Sequence, residues 1–141
     1  MTDAALDDDM LAAIAAAEAA VAMMADGYPE LLLQDMAALN TALDMLGSAP
    51  VGSDAHAAAC VDAFGILHDI KGQAASFGYT AATALCDPLC DALRGVRTVD
   101  VPTVAVLRAA GALMQRMAEE GPSPVFDRDV ALLVGRANLP G

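Results

Sequence analysis

The sequence predicts an all-α protein, an up-and-down four-helix bundle with an additional N-terminal helix and a short C-terminal helix. Apolar residues make up 57% of the 141 residues, whereas aromatic residues make up only 4%. Much of the apolar content is alanine, the strongest helix former, while strand-rich proteins depend on β-branched and aromatic residues. The length fits one compact domain, and we expect residues 1–141 to form it.

Six helices are predicted, and residues that start or end helices mark their bounds. They cover about residues 8–25, 29–46, 54–77, 80–97, 101–120 and 124–136. Asp7, Asp8 and Asp9 open the first helix, because carboxylates cap a helix N-terminus and complement its dipole. Gly27 is expected to end it. Pro29 opens the second helix, since proline suits the first turn.

The remaining helices are bounded by the same kinds of residue. Ser53 precedes the third helix, and Gly78 is placed to end it. The fourth contains Pro88, which should bend it or remove one backbone hydrogen bond. Asp100 caps the fifth, and Gly121 separates it from the short sixth helix. The short connections indicate that consecutive helices are antiparallel neighbours.

The charge of the chain is unevenly distributed. Residues 1–70 hold twelve Asp or Glu and no Lys or Arg, whereas residues 71–141 hold seven of each class, which gives a net charge of −12. This excess of acid argues against nucleic acid and anionic membrane surfaces as direct partners. The first residues lack the basic and apolar segments of a secretory signal. We therefore expect a cytoplasmic protein whose three cysteines are reduced.

The third predicted helix carries the residues that point to chemistry. Its apolar seam consists of Cys60, Ala63, Leu67, Ile70, Ala74 and Phe77. At 100° per residue, His68 lies roughly 130° from the middle of that seam and should face solvent. Gly65 and Gly72 lie one turn before and after it, where each glycine costs about 1 kcal/mol relative to alanine. Ala75 follows two turns after the histidine, and Lys71, the only lysine, lies three residues after it.

These residue types suit a phosphoryl group carried on a histidine. The two glycines leave the His68 ring above a flat surface that another protein's backbone can approach. The Lys71 ammonium, one turn away, can neutralise a phosphoryl group on the ring. The sequence contains no nucleotide-binding loop. The site is therefore expected to hold a phosphoryl group without intrinsic kinase activity.

Residues 68–78, which read HDIKGQAASFG, resemble the signature of histidine phosphotransfer (HPt) domains. That signature is a histidine, a lysine three residues on, a glycine four residues on, a small residue, and an aromatic or aliphatic residue followed by glycine. The resemblance covers about residues 29–120. It implies that His68 is phosphorylated, that Lys71 stabilises the phosphoryl group, and that Gly72 leaves room for a receiver domain.

The resemblance also implies partners and a mechanism. The protein would exchange a phosphoryl group, through Nε2 of His68, with the aspartate of response-regulator receiver domains, in a relay with a hybrid or sensor histidine kinase. The receiver supplies the magnesium, and we expect no cofactor in this chain. Gly65, Ala75, Val61 and Phe64 would complete the docking surface, although the last two are equally suited to pack under a neighbouring helix. The alanine-rich, lysine-poor composition favours a bacterial source.

Alternative functions remain open at this point. The bundle can be a docking protein that carries no phosphate, or the detached phosphorylation domain of a kinase. A zinc site is a third alternative, because His56 and Cys60, like Cys86 and Cys90, are four residues apart. We expect no metal site, since buried cysteine is a common packing residue. The apolar first helix can pack within the chain or form a dimer.

Overall fold

A computed structural model describes the backbone of residues 7–137 and the side chains of residues 7–20 and 26–136. Five α-helices form this part of the chain, with a 3-10 turn after the second and another before the fifth. The α-helices are α1 (Asp8–Ser48), α2 (Asp54–Gln73), α3 (Thr80–Leu93), α4 (Val101–Glu120) and α5 (Asp127–Ala137); the turns are Ala74–Phe77 and Pro124–Phe126. No strand occurs among residues 7–137. The predicted all-α class is confirmed.

The first two predicted helices are one continuous helix, so the prediction that Gly27 ends a helix is wrong. Pro29 lies inside α1 rather than at a helix start. A proline within a helix costs about 3 kcal/mol, but packing holds the chain helical here. Tyr28 is fully buried, with its ring 4.8 Å from that of Phe77 and 5.2 Å from that of Tyr79. Tertiary contacts of this kind outweigh local helix propensity.

The later helices follow the prediction more closely. The α4 bounds are those predicted, and the Asp100 carboxylate accepts a hydrogen bond from the Thr103 N–H at 2.9 Å. The fourth predicted helix ends earlier than expected, at Leu93, because Gly95 takes a left-handed backbone with φ 70°. Pro88 lies inside α3 without ending it.

The core forms where one face of each helix meets its neighbours. α1 packs against α2 and α4, α2 packs against α3, and α5 covers α3 and α4. The predicted seam of α2 is buried as expected, except that Phe77 is only partly buried. The helical spacing of apolar residues in the first predicted helix also includes Val21 and Met24, whose side chains lie outside the described residues. None of the helices in residues 7–137 is both long enough and apolar enough to cross a lipid bilayer.

A buried histidine fixes the connection between α3 and α4. His56 is fully buried, and its Nε2 accepts a hydrogen bond from the Val99 N–H at 3.1 Å. Because Nε2 accepts, the proton of the neutral ring is on Nδ1, which has no hydrogen-bond partner among the described residues. The bond joins residues 43 positions apart and ties this connection to the start of α2.

We predict that His56→Ala lowers the free energy of unfolding by about 2 kcal/mol, because it leaves the Val99 N–H buried without an acceptor. Urea unfolding followed by circular dichroism measures this change. His68→Ala, the same substitution at an exposed histidine, is the control and should change the stability by less than about 0.5 kcal/mol. Equal stabilities of the two variants would contradict the role of the His56–Val99 bond.

Candidate functional site

The buried seam of α2 turns His68 towards solvent. Leu67 and Ile70, on either side of it in sequence, are fully buried and fix the rotation of α2 about its axis. His68 therefore lies on the opposite side of the helix, and it is exposed. The predicted exposure of this side chain is confirmed, and its imidazole is accessible to a large partner.

The Phe64 ring lies beside the imidazole, and Arg94 lies over Phe64. The ring of Phe64, one turn earlier on α2, lies 5.7 Å from the ring of His68. The guanidinium carbon of Arg94, from the end of α3, lies 5.4 Å from the centre of the Phe64 ring. A cation over an aromatic face is attracted by its negative potential. Phe64 is half-buried between these two groups, so it supports the site as well as bordering its surface.

The cation next to the histidine is held by a carboxylate on the neighbouring helix. The Lys71 Nζ lies 2.8 Å from Oδ1 of Asp87 on α3. The hydrogen bond and the charge of Asp87 raise the pKa of Lys71, so the ammonium stays protonated at neutral pH. Lys71 lies one turn after His68, on the adjoining face of α2. A positive charge is therefore fixed near the imidazole before any phosphoryl group is present.

The two glycines near His68 have no structural explanation within the fold. A Cβ atom added at Gly65 or at Gly72 would meet no atom within 4 Å. Neither glycine has a positive φ, so neither backbone conformation requires glycine. Ala75, which was predicted on the same surface, is exposed. The small residues leave open space around the histidine that no part of the described chain fills.

A groove of about 780 Å³ between α1 and α2 lies next to the His68 site, because Gly65 and Asp69 line it. Val61 and Gly65 of the predicted docking surface line the groove from α2. Ala38 is among the residues that line it from α1. Val61 is 65% exposed. Asp69, the residue after His68, also lines the groove. Burial and the Asp69 carboxylate raise the pKa of Asp35, which lies on α1. The lining of the groove is mainly apolar, and its two acidic side chains are Asp62 and Asp69.

The side chains weighed as zinc ligands are all buried in the helical core. Within residues 7–137, no group of three His, Cys, Asp or Glu side chains is placed to hold a metal ion. The Nε2 atom of His56 is engaged by Val99, and the Cys86 thiol contacts the Met114 sulfur at 3.5 Å. Cys60, Cys86 and Cys90 are buried, and burial raises the pKa of each thiol.

Sequence reasoning missed Asp87 and Arg94. Both lie on or next to α3 and reach the site only because α3 packs against α2. Asp87 is 16 residues from Lys71, and Arg94 is 30 residues from Phe64. Their positions depend on tertiary packing, and the spacing of residues along one helix does not predict contacts with another helix. The roles of His68, Lys71 and the surrounding surface remain predictions at this stage.

Comparison with known proteins identifies a family. A family model described as "Hpt domain" matches residues 28–120, about two-thirds of the chain. The match begins at Tyr28, a buried residue of α1, and ends at Glu120, the last residue of α4. Neither the comparison with curated proteins nor the comparison with solved structures found a match.

We predict that Gly65→Ala stabilises the fold by about 0.5–1 kcal/mol, because alanine is the better helix former and its methyl group enters open space. Chemical denaturation measures the change. Gly78→Ala is the control and should lower the stability, because Gly78 has φ 90° and an alanine there is strained. A loss of stability in Gly65→Ala would mean that the fold itself requires this glycine.

Proposed function

The chain belongs to the Hpt domain family, and we propose that it carries a phosphoryl group on His68 within a two-component phosphorelay. One observation carries this proposal. The exposed imidazole of His68 lies between two glycines that the fold does not need, with a paired lysine one turn away. Small residues that weaken a helix without an internal reason are best explained by a partner that must come close.

The proposed reaction is an in-line transfer from an aspartyl phosphate of a receiver domain. The lone pair on Nε2 of His68 attacks phosphorus, and the N–P bond forms as the P–O bond to the aspartate breaks. The carboxylate leaves with the electron pair of that bond, and Nδ1 keeps its proton. The reverse steps return the phosphoryl group to a second aspartate. Such transfers depend mainly on alignment and on charge stabilisation.

The chain supplies these two contributions through different residues. Phe64 packs beside the His68 ring and restricts the directions in which it can turn. Lys71 supplies positive charge for the phosphoryl oxygens. The magnesium that transfer requires belongs to the receiver in this proposal, as the resemblance to histidine phosphotransfer domains implies.

Asp87 competes with the phosphoryl group for Lys71. Its carboxylate holds the ammonium at 2.8 Å in the unphosphorylated protein. A phosphoryl group carries more negative charge than one carboxylate and draws the ammonium towards His68. We infer that Asp87 is a positioning residue, which keeps Lys71 ordered before transfer and lowers its hold on the phosphoryl group afterwards.

The proposed partners are receiver domains of response regulators and a hybrid or sensor histidine kinase. The groove beside Val61 and Gly65 gives a receiver an apolar surface next to the reacting atom. A cytoplasmic location is part of this proposal, because the kinase partner uses ATP. A bacterial source remains a prediction from the composition.

We predict that mixing the protein with a phosphorylated receiver domain and magnesium adds one phosphoryl group to this chain. Intact-mass spectrometry detects the adduct, which should be acid-labile and base-stable. His68→Ala should remain folded and unlabelled, whereas His56→Gln, at the buried histidine, should still accept phosphate. Labelling of His68→Ala would sink the site assignment. A folded wild-type protein that several receivers fail to label would favour the docking-only alternative.

We predict that Asp87→Asn shifts the transfer equilibrium towards phosphorylated His68 by up to about fivefold, the range expected for an exposed ion pair. Lys71→Gln should shift it in the opposite direction. The measurement is the partition of radiolabelled phosphate between receiver and carrier at equilibrium. Asp44→Asn is the matched control, because Asp44 forms an ion pair of the same 2.8 Å length, but with Arg108 rather than with Lys71. Equal shifts in both aspartate variants would assign the effect to net charge rather than to Lys71.

A further inference from the structure

The N-terminal part of α1 extends away from the bundle. Residues 8–27 precede Tyr28, the first buried residue among the described side chains of α1, and they lie outside the span that the family model matches. At 1.5 Å per residue, these 20 residues form a helix about 30 Å long. Every side chain of residues 7–20 is exposed. We call residues 8–27 the extension.

The extension carries the same apolar face that α1 buries within the bundle. Met10 precedes Tyr28 by 18 residues, and Ile14 precedes Leu32 by 18 residues, which is about five turns of an α-helix. Each pair therefore lies on one line along the helix. Tyr28 and Leu32 are 0% exposed, whereas Met10 is 50% and Ile14 is 43% exposed. The face that forms the core continues into the extension, and its side chains at Met10 and Ile14 are uncovered.

We propose that the extensions of two copies of this chain pack against each other in antiparallel fashion and cover this face. The proposal is independent of the phosphotransfer reaction. The charge of the extension argues against other occupants. Asp8, Asp9, Glu18 and Asp26 are acidic, and residues 1–70 contain no Lys or Arg. Helices that lie on anionic membranes carry basic residues on their polar face, and nucleic acid would repel this one.

The negative charge at the N-terminal tip of α1 determines the direction in which two extensions can pair. Asp7, Asp8 and Asp9 are adjacent there, and in a parallel pair the two acidic tips would meet and repel. An antiparallel pair separates them by about the length of the extension. The alanines that make up most of residues 12–20 let two helices approach closely. A two-fold pair of this kind uses the same surface on both copies.

The end of the bundle offers a seat for the partner's tip. A cavity of about 240 Å³ opens there, lined by Tyr79, Phe126 and Asp127 among others. Tyr79 contacts Tyr28, so the cavity adjoins the point where the apolar face enters the bundle. Arg128, the residue after Asp127, is exposed and forms no ion pair within the described part of the chain. It is a cation available to the acidic tip of a second copy.

The size of the contact sets its strength. A strip about 30 Å long and one helix wide is smaller than the interfaces of stable complexes, which bury at least about 1,200 Å². The dimer should therefore be concentration-dependent, with a dissociation constant in the micromolar range. Because each copy has a net charge of −12, added salt should strengthen the dimer by screening the repulsion.

Sedimentation equilibrium of the full chain between about 1 and 1,000 μM tests the proposal, because this range brackets a weak dimer. We expect a monomer–dimer equilibrium that salt shifts towards dimer. Ile14→Asp should raise the dissociation constant at least about tenfold, so that it is mainly monomeric at concentrations where half of the wild type is dimeric. The matched control is Val101→Asp, the same kind of change at an 83% exposed residue in the first turn of α4, and it should dimerise as the wild type does.

Several results would overturn the proposal. A wild-type chain that stays monomeric at every concentration rules out the pair, as does an Ile14→Asp variant that dimerises normally. Binding of the wild-type chain to vesicles of anionic phospholipid would assign the face to a membrane. Met10→Cys tests the direction, since rapid disulfide formation between two copies requires parallel helices and slow formation agrees with antiparallel ones. Circular dichroism confirms that each variant is folded.

Discussion

The rotation of α2 about its own axis is the constraint on which the site depends. Burial of Leu67 and Ile70 fixes that rotation, and burial of this kind contributes about 1.5–3 kcal/mol for each large side chain. Once the rotation is fixed, His68 has to point outward and the two glycines have to flank it. A turn of the helix by one residue would bury the imidazole and expose the core. The reactive group is thus positioned by residues that take no part in its chemistry.

The second constraint is the pairing of α2 with α3. It brings Asp87 to Lys71 and Arg94 to Phe64, so both the cation and the aromatic support of the site depend on the neighbouring helix. The Thr83 hydroxyl strengthens the pairing near the site, since it donates to the Lys71 carbonyl and accepts from the Ala75 N–H. The site is therefore shared by two helices, although its recognisable motif lies on one.

The sequence was most informative where structure depends on neighbours along the chain. The cap at Asp100 and the glycine at 121 were enough to predict the bounds of α4. The 3.6-residue period of the apolar residues was enough to predict that His68 faces solvent. It was misleading at Gly27 and Pro29, whose local preference for a break is overruled by the packing around Tyr28. Three contacts could not be predicted from the sequence for a related reason: those of Asp87 and Arg94, and the bond between His56 and Val99. Their partners are 16 to 43 residues away, and only the assembled bundle brings them together.

The three buried cysteines determine how this protein meets oxidants. A thiol reacts as its thiolate, and oxidants and alkylating reagents must also reach the sulfur. Cys60, Cys86 and Cys90 are each at most 1% exposed, and burial keeps them protonated. Redox signals therefore have no access to the described thiols while the bundle is closed. Their reactivity instead follows the fraction of molecules that have opened, which makes these cysteines an intrinsic reporter of unfolding.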